Sequence, residues 1–456
     1  MTSPAADIPP DTGRSDVQVT VIALIGAMCA SSGILYGYNL GVIAGAILFV
    51  VEDFSLTPAL KEFAISASLI GAMAGAVIGG QLADRIGRRK AIVWGGGIGL
   101  VAAVVGALSP DYGVLVTHRV AIGISFGILA CVTPLYVAEV SPEAIRGRLG
   151  ALFSVSLMVG LLLAYLSGYA FHALLTSWRW MFSVGVVPAL PLLFLVLKLP
   201  ESPRWLVSQG RTGEAAAAAG RLYPSADPAT VVDRLRDNLP TNRARLVDLA
   251  HPTVRLTVAA GIGLAVIRQG TGVAVSTFCA PELFEMAGFG SLEVELLGTV
   301  GVGVVYVVMT IVALWLVDRH GRRPLLLTGL AGMVLGFLTL WILLQWTGPS
   351  TLTGIVATVA LMVFVASFAI GPGAVVFLLI SELFPQHIRG IGMGVASLAL
   401  WASYLLSALT FPILVATTGK ATPFLVYALL GVAALVFVYR LVPETKGRSL
   451  EEIQAH

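Results

Sequence analysis

Twelve predominantly apolar stretches, each long enough to cross a lipid bilayer, constrain this chain more than any other feature. They run at roughly 19–50, 62–83, 91–108, 112–137, 149–171 and 180–199, then at roughly 254–284, 294–317, 324–346, 352–381, 391–417 and 421–442. A helix needs about 20 apolar residues to span about 30 Å of hydrocarbon. No water pairs with the backbone there, so helices, which satisfy their own N–H and C=O groups, are the expected form. Composition agrees: 57% of the 456 residues are hydrophobic and 12% charged, about half the charge of a typical soluble domain. An all-α, multi-pass membrane protein is expected, and a soluble two-domain enzyme is excluded.

The charges set a topology. Of 28 Lys and Arg, Arg119 and Arg268 fall deep within the stretches, and Lys61, Arg179 and Lys420 in the odd-numbered loops; the other 23 lie in the even-numbered loops and tails or, as with Lys198, Arg255 and Arg440, at the stretch ends that border them. Basic residues are retained on the cytoplasmic side, so both termini are expected there, in the cell membrane. Residues 1–18 form a polar tail without the order of a cleavable signal, and the first span is expected to be retained. Residues 19–199 then make a first six-helix bundle and 200–253 a cytoplasmic linker of short amphipathic helices with seven arginines, Arg243 and Arg245 among them. Residues 254–442 make a second six-helix bundle and 443–456 a cytoplasmic tail. The small net charge of +3 gives no reason to expect nucleic acid.

The two bundles repeat each other. Asp84-Arg85-Ile86-Gly87-Arg88-Arg89 recurs as Asp318-Arg319-His320-Gly321-Arg322-Arg323. Glu139 with Arg146-Gly147 recurs as Glu382 with Arg389-Gly390, and Pro200-Glu201 as Pro443-Glu444. Three ordered matches at nearly constant offset mark a duplicated six-helix unit.

These residues carry a resemblance. Together with Tyr36-Gly37-Tyr38-Asn39, Arg119, Pro134-Leu135-Tyr136, Pro200-Glu201-Ser202-Pro203-Arg204, Gly371-Pro372-Gly373, Ser381-Glu382-Leu383-Phe384-Pro385 and Pro443-Glu444-Thr445-Lys446-Gly447, they make the chain similar to the sugar porter family of the major facilitator superfamily. The resemblance implies twelve transmembrane helices in two pseudo-symmetric bundles, moving a sugar, polyol or sugar-like solute by alternating access, functional as a monomer in lipid. It implies a cytoplasmic gate of Asp84, Arg88, Glu139 and Arg146 with Asp318, Arg322, Glu382 and Arg389. The same charges could instead only anchor topology and solvate loops.

Proton-coupled members hold the helix 4 arginine, here Arg119, near an aspartate whose position is Asn39 in this chain. An amide does not titrate in the physiological range, and by resemblance to the family's uniporters a uniporter is expected. Arg268-Gln269 stands where the family has two glutamines. Its remaining sugar-contacting positions fall on Ser154, Leu161, Ala274, Tyr306, Phe377, Leu400 and Tyr404 around the retained Trp401. A substrate cavity of Tyr36, Asn39, Arg119, Ser154, Arg268, Gln269, Tyr306, Phe377, Trp401 and Tyr404 is expected. Two arginines without an evident midplane carboxylate raise the alternative of an anionic sugar acid or organic acid, transported with or without protons. Against it stands pairing of Arg268 with backbone carbonyls at a helix break near Gly270 and Gly272.

Other classes fare worse. The six histidines make no metal-ligand pattern, Cys29, Cys131 and Cys279 form no pair, and no nucleophile motif or phosphate loop occurs, so no enzyme, metal, ATP or other cofactor is expected. A non-transporting nutrient sensor is a third reading, of which a longer signalling tail than Ser449–His456 is expected.

Overall fold

The computed structural model describes residues 16–174, 177–224, 226–237, 246–251, 254–286, 291–346, 350–385 and 388–444. Within them every regular element is a helix, the form that satisfies its backbone without water. The first half comprises α1 (Asp16–Asp53), α2 (Pro58–Ile86), α3 (Arg88–Ala107), α4 (Tyr112–Val140), α5 (Glu143–Ala173), α6 (Trp178–Ser183) and α7 (Val186–Lys198). Between the halves lie α8 (Pro203–Ser208), α9 (Thr212–Leu222), α10 (Pro228–Asp237) and a 3-10 turn at Leu246–Ala250. The second half comprises α11 (Arg255–Gly270), α12 (Val273–Phe278), α13 (Ala280–Met286), α14 (Leu292–His320), α15 (Arg322–Trp346), α16 (Thr351–Phe368), a π turn at Ala369–Gly373, α17 (Ala374–Leu383), α18 (Arg389–Thr418) and α19 (Thr422–Leu441). Among the described residues, 12 helical spans are long and apolar enough to cross a membrane. Residues 1–15 and 445–456 of the tails, with Arg243 and Arg245, lie outside the described residues, as do the side chains of Asp318 and Arg389.

Several boundaries differ from expectation, each for a local reason. The second span starts at Pro58 because the Thr57 hydroxyl accepts the Leu60 N–H at 3.4 Å and proline suits a first turn. Lys61, expected in a loop, therefore lies inside α2. Arg179 lies in α6, and Glu282 and Glu285 lie in α13. The seventh stretch is not one helix: Gly272, at φ +90°, adopts the left-handed conformation between α11 and α12. The tenth is interrupted by the π turn that carries Pro372, whose ring cannot continue an α-helical ladder.

The duplicated motifs become duplicated joints. Gly87 (φ +100°) turns the chain from α2 into α3, and Gly321 (φ +88°) does so from α14 into α15. Over the first joint the Glu201 carboxylate accepts the Arg89 N–H at 3.0 Å; over the second, Glu444 accepts the N–H groups of Arg322 at 3.1 Å and Arg323 at 2.9 Å. A carboxylate at a helix N-terminus meets orphaned donors and a favourable dipole. Arg89 and Arg323 then reach the last carbonyls of neighbouring helices, at Val196 and Tyr439.

Within the first half, α1 packs along α5 and α2 along α4; the halves meet along α2 with α18 and α5 with α14. Close approach needs absent side chains: a Cβ on Gly37 would collide with the Leu157 carbonyl of α5.

Candidate functional site

At the junction of the halves, aromatic rings from five helices converge. Tyr36 of α1 stacks on Phe126 of α4, centroids 5.2 Å apart and planes 9° apart, and Phe153 of α5 lies 6.4 Å from the same ring. Trp401 of α18 closes the group from the other half, 6.3 Å from Tyr36 and 5.7 Å from Phe126. Tyr404, one turn on, lies 6.2 Å from Trp401 and stacks against Phe278 of α12 at 5.4 Å. Tyr306 of α14 is buried, its hydroxyl 2.9 Å from that of Ser276.

Arg268 ends α11 where the chain breaks before Gly272. Its Cζ sits 4.7 Å over the Phe377 ring of α17, and Nη2 donates to the Gly373 carbonyl at 3.3 Å. The discontinuities of the seventh and tenth spans thus share one side chain. Nε is buried with no hydrogen-bond partner among the described residues. The ionisable side chains close enough to act on its charge are Tyr36, Tyr306 and Tyr404. Arg268 is half-buried, Phe377 is 38% exposed, and Gln269 is buried.

Arg119 and Asn39 do not join this group. The arginine is 0% exposed, sealed between α1, α2 and α4. Its Nη2 donates to the Ser68 hydroxyl at 2.8 Å, Nε to the Ala64 carbonyl at 3.4 Å and Nη1 to the Asn39 carbonyl at 3.5 Å. The Asn39 amide donates to Leu35 one turn back, at 2.8 Å. α4 carries Arg119 two turns before Phe126 on its buried face, and the burial of a guanidinium is made tolerable by these acceptors.

Ser154 is exposed. It lies two turns before Leu162 on α5, where Leu162 and Tyr165 pack on Gly303 of α14. Toward the Asp-Arg-x-Gly joints, Gly147, Gly150, Gly390 and Gly394 face open space, with nothing within 4 Å of where a Cβ would stand. At the opposite end the halves are tied. Lys61 of α2 pairs with Glu282 of α13, the Tyr165 hydroxyl donates to the Thr277 carbonyl at 2.9 Å, and that of Tyr169 donates to Glu293 at 3.4 Å.

The expected gate charges pair within their own halves: Arg88 with Glu139 at 3.0 Å and Asp84 at 3.1 Å, and Arg322 with Glu382 at 3.2 Å. Arg146 donates to the Ser141 carbonyl at 3.4 Å. Sequence reasoning missed Phe126, Phe153, the Gly373 carbonyl and the Lys61–Glu282 pair. For the pair a signal existed, since Thr57-Pro58 is a helix start that places Lys61 in the bundle.

Two related six-helix halves, with broken helices meeting at their junction, define a secondary transporter of the major facilitator type. The family model "Sugar (and other) transporter" matches residues 25–456. The putative metabolite transport protein YwtG of Bacillus subtilis (strain 168) is 39% identical over 425 residues, covering 93% of each chain. The galactose-proton symporter of Escherichia coli (strain K12) is 34% identical over 444 residues, covering 97% of this chain and 95% of its own. Among solved structures, the xylose transporter XylE from E. coli, in a partially occluded inward open conformation, superposes with a TM-score of 0.81 at 28% identity, covering 94% of this chain and 100% of that one. The chain belongs to the sugar porter family of the major facilitator superfamily, a family of transporters and not of enzymes.

Proposed function

We propose that this protein is a uniporter that carries a sugar-like solute across the cell membrane by alternating access, with both termini in the cytoplasm. One observation carries the reading: the halves are tied at the Lys61–Glu282 end, whereas at the other end Gly147, Gly150 and Gly394 face open space, with Arg268, Phe377 and Trp401 between. A pocket reached from one end at a time is what alternating access requires. The basic joints favour a cytoplasmic placement for the end with the open glycines, and this arrangement is then inward-facing. Asp84, Arg88, Glu139 and Arg146, with Asp318, Arg322, Glu382 and Arg389, regroup across the halves when the cytoplasmic end closes. The six-helix bundles 19–199 and 254–442 move as the two bodies, with 200–253 linking them.

Uniport is supported by the Arg119 pocket. A coupled carrier needs a group that gains and loses a proton with the cycle. The acceptors of Arg119 are a hydroxyl and two carbonyls, none of which titrates near neutrality, and its titratable neighbour His118 is turned toward α3, its Nδ1 2.7 Å from the Ala102 carbonyl. The relative from E. coli strain K12 is a galactose-proton symporter, so coupling is the rival outcome. In proteoliposomes the wild-type protein is expected to show solute counterflow with no change in a lumenal pH dye. Asn39→Asp, which places a carboxylate beside a buried guanidinium, is expected to introduce or strengthen pH dependence. Alkalinisation driven by solute in the wild type would refute uniport.

A further inference from the structure

Four arginines can be compared by what neutralises them. Arg88 and Arg322 each hold a carboxylate, Glu139 and Glu382. Buried Arg119 has a hydroxyl and carbonyls arranged around its fork. Arg268 has neither arrangement: it has one carbonyl at 3.3 Å and an aromatic face at 4.7 Å, and its buried Nε, like that of Arg322, has no partner among the described residues. Cation–π contact with Phe377 holds the guanidinium in place without cancelling its charge. The side chains that act on its charge, Tyr36, Tyr306 and Tyr404, are phenols and not carboxylates.

A guanidinium held in this way, half-buried and beside an exposed ring, is short of an anion. Its rigid fork matches a carboxylate in two parallel hydrogen bonds, which a hydroxyl cannot supply. Tyr36, one of the side chains that act on the Arg268 charge, packs with Phe126 and Trp401 at the junction of the halves.

Resting on the transport reading above, we propose that the substrate is a sugar acid, a polyhydroxylated frame bearing one carboxylate, and that Arg268 is the residue that selects it. Uniport of such a monoanion moves charge. A neutral sugar does not. Equilibrium accumulation of the monoanion therefore follows the membrane potential, by about tenfold for each 59 mV or so, and an inside-negative potential favours its exit.

The test uses wild-type proteoliposomes with potassium and valinomycin to set the potential, and labelled D-gluconate, D-glucuronate, D-glucose and D-xylose as probes. One or both acids are expected to enter faster than either neutral sugar, with uptake rising under an inside-positive potential. Arg268→Gln is expected to lower acid uptake about tenfold or more and Arg268→Lys to lower it less. The wild-type potential response decides the matter even where a variant does not fold. Glucose or xylose uptake that exceeds that of both acids, indifferent to potential, overturns the proposal and leaves transport standing. Entry of none of the four, under either gradient, overturns the transport reading with it.

Discussion

The same side chain at two depths of one membrane protein plays two parts. Arg119 is a solved problem in the first half, where Ser68 and two carbonyls meet its N–H groups. Ser68→Ala is expected to lower stability by about 1–3 kcal/mol, the cost of leaving a buried donor unpaired, while KM of the folded fraction stays unchanged. Trp401→Ala should do the reverse, raising KM about tenfold as an aromatic wall of the pocket is lost, with little change in melting temperature. Thermal unfolding in detergent beside uptake kinetics separates the two; equal KM effects would place Ser68 in the pocket or Trp401 outside it. Both arginines stood out in the sequence, because charge inside an apolar run is costly enough to need a reason. What the reason was could not be read there. It depends on whether Ser68, 51 positions away, or the Gly373 carbonyl, 105 positions away, comes within reach.

At the scale of elements, the helices were legible and their joints only partly so. A run of apolar residues records removal from water at every position, into lipid or into the bundle, so its length survives any detail of packing. Breaks record single residues: Gly272 and Pro372 were visible as residues, yet glycine and proline also occur inside intact spans here, as with Pro134 in α4 and Pro412 in α18. Pro200-Glu201 and Pro443-Glu444 were visible as repeats, but nothing local says that a carboxylate will cap a helix more than 100 positions earlier. The duplicated joint gives a paired prediction. Gly87→Ala forces a side chain into a positive-φ conformation against the Glu201 carboxylate, which should cost about 1–2 kcal/mol from backbone strain alone. Glu201→Gln keeps the shape and removes the charge at the helix N-terminus, costing about 1 kcal/mol. Glu444→Gln should match it in the second half. Melting temperatures of the three variants check this; a tolerated Gly87→Ala would mean that the joint relaxes and does not bear on the fold.

On the alternating-access reading proposed above, function at the scale of the whole molecule turns on the balance between its two ends, and the Lys61–Glu282 pair lies on the seam that would part. The two side chains are 24% and 20% exposed, so water screens them incompletely, and a pair of this kind is worth about 1–3 kcal/mol at an intermediate dielectric. Each 1.4 kcal/mol or so moves the ratio of the two conformations about tenfold. Lys61→Glu replaces attraction with a cluster of carboxylates, since Glu62 and Glu282 already stand there, and should shift the population toward an opening at that end. Ser154, exposed in the present arrangement, should then be withdrawn from solvent. A cysteine introduced at Ser154, with Cys29, Cys131 and Cys279 replaced, is expected to react with an impermeant maleimide several-fold more slowly in the Lys61→Glu background. Exchanging the charges, with Lys61→Glu and Glu282→Lys together, should restore part of the rate, because it rebuilds the pair with its poles reversed. Labelling that ignores the first change would show that the contact is incidental to the cycle, and labelling that falls with the first and does not recover with the second would assign the effect to damage in α2 and not to the tie between the halves.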